Sequence, residues 1–285
     1  MKISVEIYTL ANAFGDERAV DLIKEAGFDA IDFSYYYGRD CERITGDGYL
    51  EYAKEMRAYL DKVGMVANQA HAPFKFKYGM AMDESEPNYR SIARSIASAG
   101  ILGAKSIIVH SVMVPDGVSI EDYNVEFYSS LIPYCEKYGI CVAVENLFAP
   151  GAEPNTYTGR FGSPEELNRV VERIGSPYIV ACVDVGHASL TGYKPEDFIA
   201  GMNPDILAAL HIQDTDYKED SHMLPYTLDF DWTAIMTALK EKGYKGDLTL
   251  EIIKYLRKFP IELLPDALRL AARVANHLRE IFEKA

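Results

Sequence analysis

Positive charge is scarce in this chain. Lysine and arginine number 29 against 43 aspartate and glutamate residues, a formal net charge of −14 over 285 residues. Proteins that live on phosphate-backbone contacts show a basic patch. The densest basic stretches here, Lys75-Phe76-Lys77 and Lys254 to Lys258, are short, so nucleic acid is disfavoured as a partner. Long apolar runs are missing too, because no stretch approaches the ~20 residues a membrane span needs. Met1-Lys2 leads straight into Ile3-Ser4-Val5-Glu6-Ile7 with no signal-peptide pattern. The expectation is a cytoplasmic protein with no membrane partner. Cysteine is sparse: Cys41, Cys135, Cys141 and Cys182 lack CxxC spacing, which argues against a disulfide framework and for a reducing compartment. Cys141 and Cys182 lie in apolar runs, where a thiol acts as a small hydrophobe.

What is present is an ordinary globular mixture, 48% hydrophobic and 25% charged, arranged in alternation. Apolar runs of strand length occupy residues 3–10, 30–34, 65–70, 106–110, 140–146, 179–184, 207–213 and 247–253. Most are nearly continuous in Val, Ile, Leu and Ala, as expected of parallel strands covered on both faces. Between them, segments such as 49–63, 88–102, 165–174 and 232–242 repeat apolar residues every three or four positions. Ser163-Pro164-Glu165-Glu166 reads as a helix start. Gly27, Gly64, Gly103, Gly139, Gly175 and Gly243 follow helix ends. Pro133 is expected to kink or interrupt the helix around 128–138. No glycine-rich phosphate fingerprint follows the first strand, which disfavours a doubly wound sheet. Eight βα units predict an α/β chain folded as a single (β/α)8 TIM barrel over 1–285, one domain.

Barrels of this kind carry chemistry at the C-terminal ends of their strands. Those ends read Ala70-His71, Val109-His110, Val144-Glu145, Val183-Asp184, Leu210-His211 and Leu250-Glu251. Five of the six histidines lie at or just beyond such ends; His277 falls in the last helix. A buried glutamate can be held by a nearby cation or by backbone amides, so Glu145 alone proves little. Asp184, His211 and Glu251 project toward the same axis, and three carboxylates do not stay ionised together without counter-charge. No barrel strand end supplies Arg or Lys. The pattern predicts one divalent cation held by Glu145, Asp184, His211 and Glu251, with manganese or zinc favoured over cobalt or magnesium. His71 and His110 are candidates for the pocket lining, or core histidines of the rim. His187 is expected on the loop after Asp184, facing substrate or a second metal. Asp220 and His222, in a polar loop, are either further ligands or solvated filler. Tyr35, Tyr36 and Phe74 offer apolar faces to a sugar ring, or are lid packing.

These strand ends resemble the xylose isomerase-like TIM barrel superfamily, especially its sugar phosphate isomerase/epimerase group. The resemblance spans nearly the whole chain and rests on Val142-Ala143-Val144-Glu145-Asn146, Cys182-Val183-Asp184-Val185-Gly186-His187, Leu210-His211-Ile212-Gln213-Asp214 and Leu248-Thr249-Leu250-Glu251. It implies one metal on Glu145, Asp184, His211 and Glu251, the two glutamates as acid/base pair, and His187 as a substrate contact. Two pieces of the ketose 3-epimerase pattern are missing. Leu147-Phe148-Ala149-Pro150-Gly151 lacks the family's further glutamate, and Thr215-Asp216-Tyr217-Lys218 lacks its arginine. The glycine-rich segment before the last helix is replaced by Leu224-Pro225-Tyr226 through Trp232.

The implied activity is isomerisation or epimerisation of a small sugar, ketose or polyol derivative by proton transfer through an enediolate. A keto-inositol-type dehydratase shares that intermediate. The trinuclear-zinc apurinic endonucleases of the same superfamily form a rival reading. Their ligand set is matched by His71, His110, Glu145, Asp184, His187, His211, Asp220, His222 and Glu251, while the net charge and the lack of basic loops oppose it. A homodimer is compatible with the resemblance, though no residue here specifies it.

Overall fold

The computed structural model describes residues 1–36, 41–151 and 156–285, without the side chains of residues 41 and 42. Eight strands form one parallel sheet: β1 (Ile3–Glu6), β2 (Ala30–Ser34), β3 (Ala67–His71), β4 (Ser106–Val109), β5 (Cys141–Glu145), β8 (Ile179–Asp184), β9 (Leu207–His211) and β10 (Leu248–Leu250). Their lateral order is β10-β1-β2-β3-β4-β5-β8-β9. The two ends meet where Ile212 bridges Leu250, with Ile212 N–H donating to Thr249 and Glu251 N–H to Ile212. The result is the (β/α)8 TIM barrel that the alternation predicted. Among the described residues no helix is long and apolar enough to cross a membrane.

Strand alternation builds the interior in layers. Ile108, Ala143, Cys182 and Ala209 form a separate apolar cluster from four neighbouring strands. The residues two positions further along are His110, Glu145, Asp184 and His211, so the same faces that fill the barrel also aim the polar groups at its mouth. The other half of the barrel is polar inside: Ser4 donates to Thr249 at 2.9 Å, and Gln69 to Asp32 at 3.1 Å. Helices cover the outside with large buried side chains, Trp232, Tyr89, Tyr128 and Phe198 among them.

The structure corrects several boundaries. The first strand stops at Glu6, because Tyr8–Phe14 is a helix, with Leu10 buried against the core. The helix Ile120–Tyr138 runs unbroken through Pro133. Phe127, Tyr128, Leu131 and Cys135, buried on either side of the proline, hold it through that point, a tertiary override of local propensity. An antiparallel hairpin of β6 (Leu147–Pro150) and β7 (Tyr157–Arg160), absent from the sequence reading, follows β5. The helix start at Ser163 holds, its hydroxyl accepting from Glu166 N–H. All six helix-ending glycines have positive φ. Cys135, Cys141 and Cys182 are free thiols; the Cys41 side chain lies outside the described residues.

Candidate active site

The C-terminal mouth of the barrel brings all nine sequence candidates together. At its floor, Glu145, Asp184, His211 and Glu251 offer four ligand atoms within 4.8 Å of one another, and all four residues are buried. His211 Nδ1 is the hub, lying 2.7 Å from Glu145 Oε1, 3.4 Å from Glu251 Oε2 and 3.9 Å from Asp184 Oδ2. Its other nitrogen faces Asp32 Oδ2 at 3.6 Å. A carboxylate behind a ligating imidazole fixes the tautomer that presents the opposite nitrogen.

The electrostatics follow from this crowding. Burial works against charge on Glu145, yet the imidazoles of His211, His110 and His187 outweigh it and hold the carboxyl well below the usual range. Glu251 goes the other way: burial, reinforced by Asp184 and Glu145, pushes it up to about 7. Burial opposes charge on His211, but Glu251 and Glu145 raise it well above an ordinary histidine. Negative charge therefore gathers where His211 Nδ1 meets three carboxylates.

Two further groups flank the floor. His71 and His110 stand beside Glu145, with His110 Nε2 3.0 Å from Glu145 Oε2. Burial and the neighbouring His110 keep His71 neutral. Its Nδ1 lies 2.9 Å from the Ala72 carbonyl, so Nδ1–H donates there and Nε2 keeps its lone pair. On the other side His187, Asp220 and His222 form a ligand-capable group. His222 Nε2 lies 2.8 Å from Asp220 Oδ2. Burial opposes its charge, but Glu251 and Asp220 raise it to about 10. Burial would raise Asp220, and the two histidines reverse this and hold it very low. His187 sits in the first turn of the helix Val185–Leu190 rather than on a loop, because Asp184 caps that turn by accepting from His187 N–H at 2.8 Å.

Sequence reasoning missed the groups that tie these parts together. Gln213 donates to both oxygens of Asp184 at 3.2 and 3.0 Å and to Asp220 at 3.1 Å, while its own oxygen accepts from His222 N–H at 2.7 Å. Asn146 exchanges two hydrogen bonds with the Asp184 backbone. Both adjoin ligand residues in the motifs, Glu145-Asn146 and His211-Ile212-Gln213, which is the signal that could have found them. The glycine of Asp184-Val185-Gly186-His187 has a reason as well: a Cβ there would lie 2.6 Å from Gln213 Cδ. Gly186→Ala is expected to displace Gln213 and weaken metal affinity by about 10- to 100-fold, the usual range for lost outer contacts to a ligand. Metal titration beside a thermal melt reads this, and an unchanged affinity refutes it.

Of the aromatic candidates, Tyr36 and Phe74 line the central cavity of about 340 Å³. Tyr35 does not; it is buried in the core, with its hydroxyl on Ser98. Tyr8 and Phe148 join the lining instead, as do Arg160, Lys254 and Arg257. The strand-end reading excluded cations, and these three arrive from the hairpin and from the segment after β10. His277 is exposed on the last helix.

Residues 20–281 match the family model described as xylose isomerase-like TIM barrel. An uncharacterized protein of Methanocaldococcus jannaschii is 27% identical over 191 residues, 64% of this chain and 62% of that protein. The match thus spans less than two thirds of that relative. Among solved structures, a D-tagatose 3-epimerase-like protein superposes with a TM-score of 0.75 at 22% identity, covering 100% of this chain and 99% of that one. IolI protein with a bound zinc atom gives 0.69 at 18%, covering 100% and 99%.

Proposed function

This chain belongs to the xylose isomerase-like TIM barrel family, and from that premise we propose that it is a divalent-metal-dependent isomerase or epimerase of a small sugar, ketose or polyol derivative. The observation that carries the reading is His211 Nδ1 set among three buried carboxylates. One imidazole nitrogen and three carboxylate oxygens are a normal donor set for manganese or zinc, and the deficit of positive charge at that point is what a cation satisfies. Glu145, Asp184, His211 and Glu251 would hold it. When bound, it supplies Lewis acidity toward the carbonyl and adjacent hydroxyl oxygens of the substrate.

The rest of the chemistry belongs to side chains. Glu145 and Glu251 are the candidate acid/base pair: Glu145, held ionised by its imidazole neighbours, would take the proton from the carbon next to the carbonyl, and Glu251 would return it. Loss of a β-hydroxyl from the same enediolate would make the enzyme a keto-inositol-type dehydratase. Neutral His71 presents Nε2 toward the pocket, and His187 orients a substrate hydroxyl. Tyr8, Tyr36 and Phe74 supply apolar faces and exclude water.

A second reading is kept because the flanking groups, His71-His110-Glu145 and His187-Asp220-His222, are themselves ligand-capable. Three zinc ions would make the site that of a hydrolase acting on nucleic acid, against which the −14 net charge stands. Metal analysis and solvent deuterium exchange decide. The expected result is one metal per chain and exchange into at least one ketose of a broad panel with Mn2+, Co2+ or Mg2+. Three zinc ions per chain without exchange would establish the rival, and no metal at all removes both.

A further inference from the structure

Most described arginines outside the cavity meet a carboxylate: Arg18 with Glu25, Arg57 with Asp61, Arg94 with Asp47, Arg173 with Glu121 and Arg279 with Asp29. In a chain with 43 acidic residues this is the expected condition. The three cations lining the central cavity do not meet a carboxylate in this way. Arg160, Lys254 and Arg257 form no ion pair among the described residues, although each borders that cavity.

Arg160 is the most constrained. It ends β7 and is half-buried; its Nη1 donates to the Ser111 carbonyl at 3.1 Å, while its buried Nε has no hydrogen-bond partner. Glu145 acts on this guanidinium only from beyond ion-pair distance, and a planar fork withdrawn from water is shaped for a carboxylate or phosphate in direct contact. Lys254 and Arg257 lie one helical turn apart after β10. Lys254 donates to the Asp220 carbonyl, and the Arg257 guanidinium lies over the Tyr8 ring, 5.2 Å from its centroid. Tyr8 in turn stacks on Tyr36 at 5.1 Å. Positive charge thus enters the cavity from two separate segments, above an acidic floor whose remaining charge the proposed metal would meet. Hydroxyl groups alone would leave those cations without a counter-ion in direct contact.

Resting on the proposed sugar chemistry, we infer that the substrate is an anionic sugar derivative, carrying a carboxylate or a phosphate that Arg160 receives with help from Lys254 and Arg257.

The test is calorimetric titration of the Mn2+-loaded full chain with matched pairs, D-ribulose against D-ribulose 5-phosphate and D-glucitol against D-gluconate. At least one anionic member is expected to bind about tenfold or more tightly than its neutral partner, the scale of one or two charge-assisted hydrogen bonds. Which pair shows the preference tells phosphate from carboxylate. Arg160→Gln is expected to erase most of the difference with metal stoichiometry unchanged, Arg160→Lys to keep part of it, and Lys105→Gln, on the Asp247 side of the barrel, to leave it intact. Absence of any anionic preference overturns the inference. So does an Arg160→Gln protein that loses metal, or loses neutral and anionic ligands equally, since the arginine would then only balance the acidic floor. Deuterium exchange into neutral ketoses without anionic preference would sink this inference and leave the isomerase reading standing; the reverse pattern separates them the other way.

Discussion

Replacing Glu145 by Gln is expected to lower metal-dependent solvent exchange by about 10²- to 10⁴-fold, the usual range for a lost general base. The substitution keeps shape and volume, so the barrel should persist. What it removes is a floor carboxylate held ionised by its imidazole neighbours, 2.7 Å from His211 Nδ1 and 3.0 Å from His110 Nε2. An amide oxygen can still face a cation, but it cannot take a proton. Asp184→Asn makes the informative comparison. Asp184 is tied down by His187 N–H and Gln213, so its loss should fall on metal occupancy and recover in part at high metal concentration. Glu145→Gln should not recover. Single-turnover exchange at saturating Mn2+ distinguishes the two, and near-wild-type exchange by Glu145→Gln removes it from the proton path.

Much of this is legible in the sequence alone, and the reason is periodicity. Parallel strands buried on both faces read as apolar runs, and a polar residue closing such a run has few places to go but the barrel mouth. Glu145, Asp184, His211 and Glu251 were visible in that way. The same logic failed where local pattern and tertiary packing part company. Thr9 and Leu10 continue the apolar stretch of β1, yet they belong to a helix because the strand has only four residues' worth of neighbours to pair with. Pro133 reads as a breaker, and packing overrides it. Arg160 was invisible for another reason. It reaches the cavity from a hairpin that is not a barrel strand, so a search restricted to barrel-strand ends finds the floor and not the wall. Asp32 and Gln213 sit on strands or just past them, but their worth lies in what they touch, His211 from behind and Asp184 from the side, and sequence spacing carries no such contact.

Metal addition is expected to stabilise the protein, and to do so more at pH 8 than at pH 6. In the ion-free protein burial holds Glu251 near 7 and Glu6 near 8, both above the ordinary carboxylate value of 4.5. Glu6 accepts from Ser34 and from the Tyr8 N–H, and its second oxygen is buried without a partner. A group whose folded pKa is raised favours the folded state at low pH, and that contribution fades as pH climbs from its unfolded value to its folded one. Stability of the ion-free chain should therefore decline between about pH 5 and pH 8. His222, raised to about 10, adds to the decline above 6.5. A cation on the floor takes over the charge compensation that protons on Glu251 and His211 otherwise provide. Each proton it must displace weakens binding by about tenfold per pH unit below that group's pKa. At about a thousandfold excess over Kd a ligand stabilises by about 4 kcal/mol, or about 7 °C for a domain of this size. Thermal melts with Mn2+ or Zn2+ against a chelator, run at both pH values, read the effect directly. An increment that is absent, or larger at pH 6, would mean that no cation replaces those protons and that the quartet is a self-contained network of hydrogen-bonded acids and imidazoles.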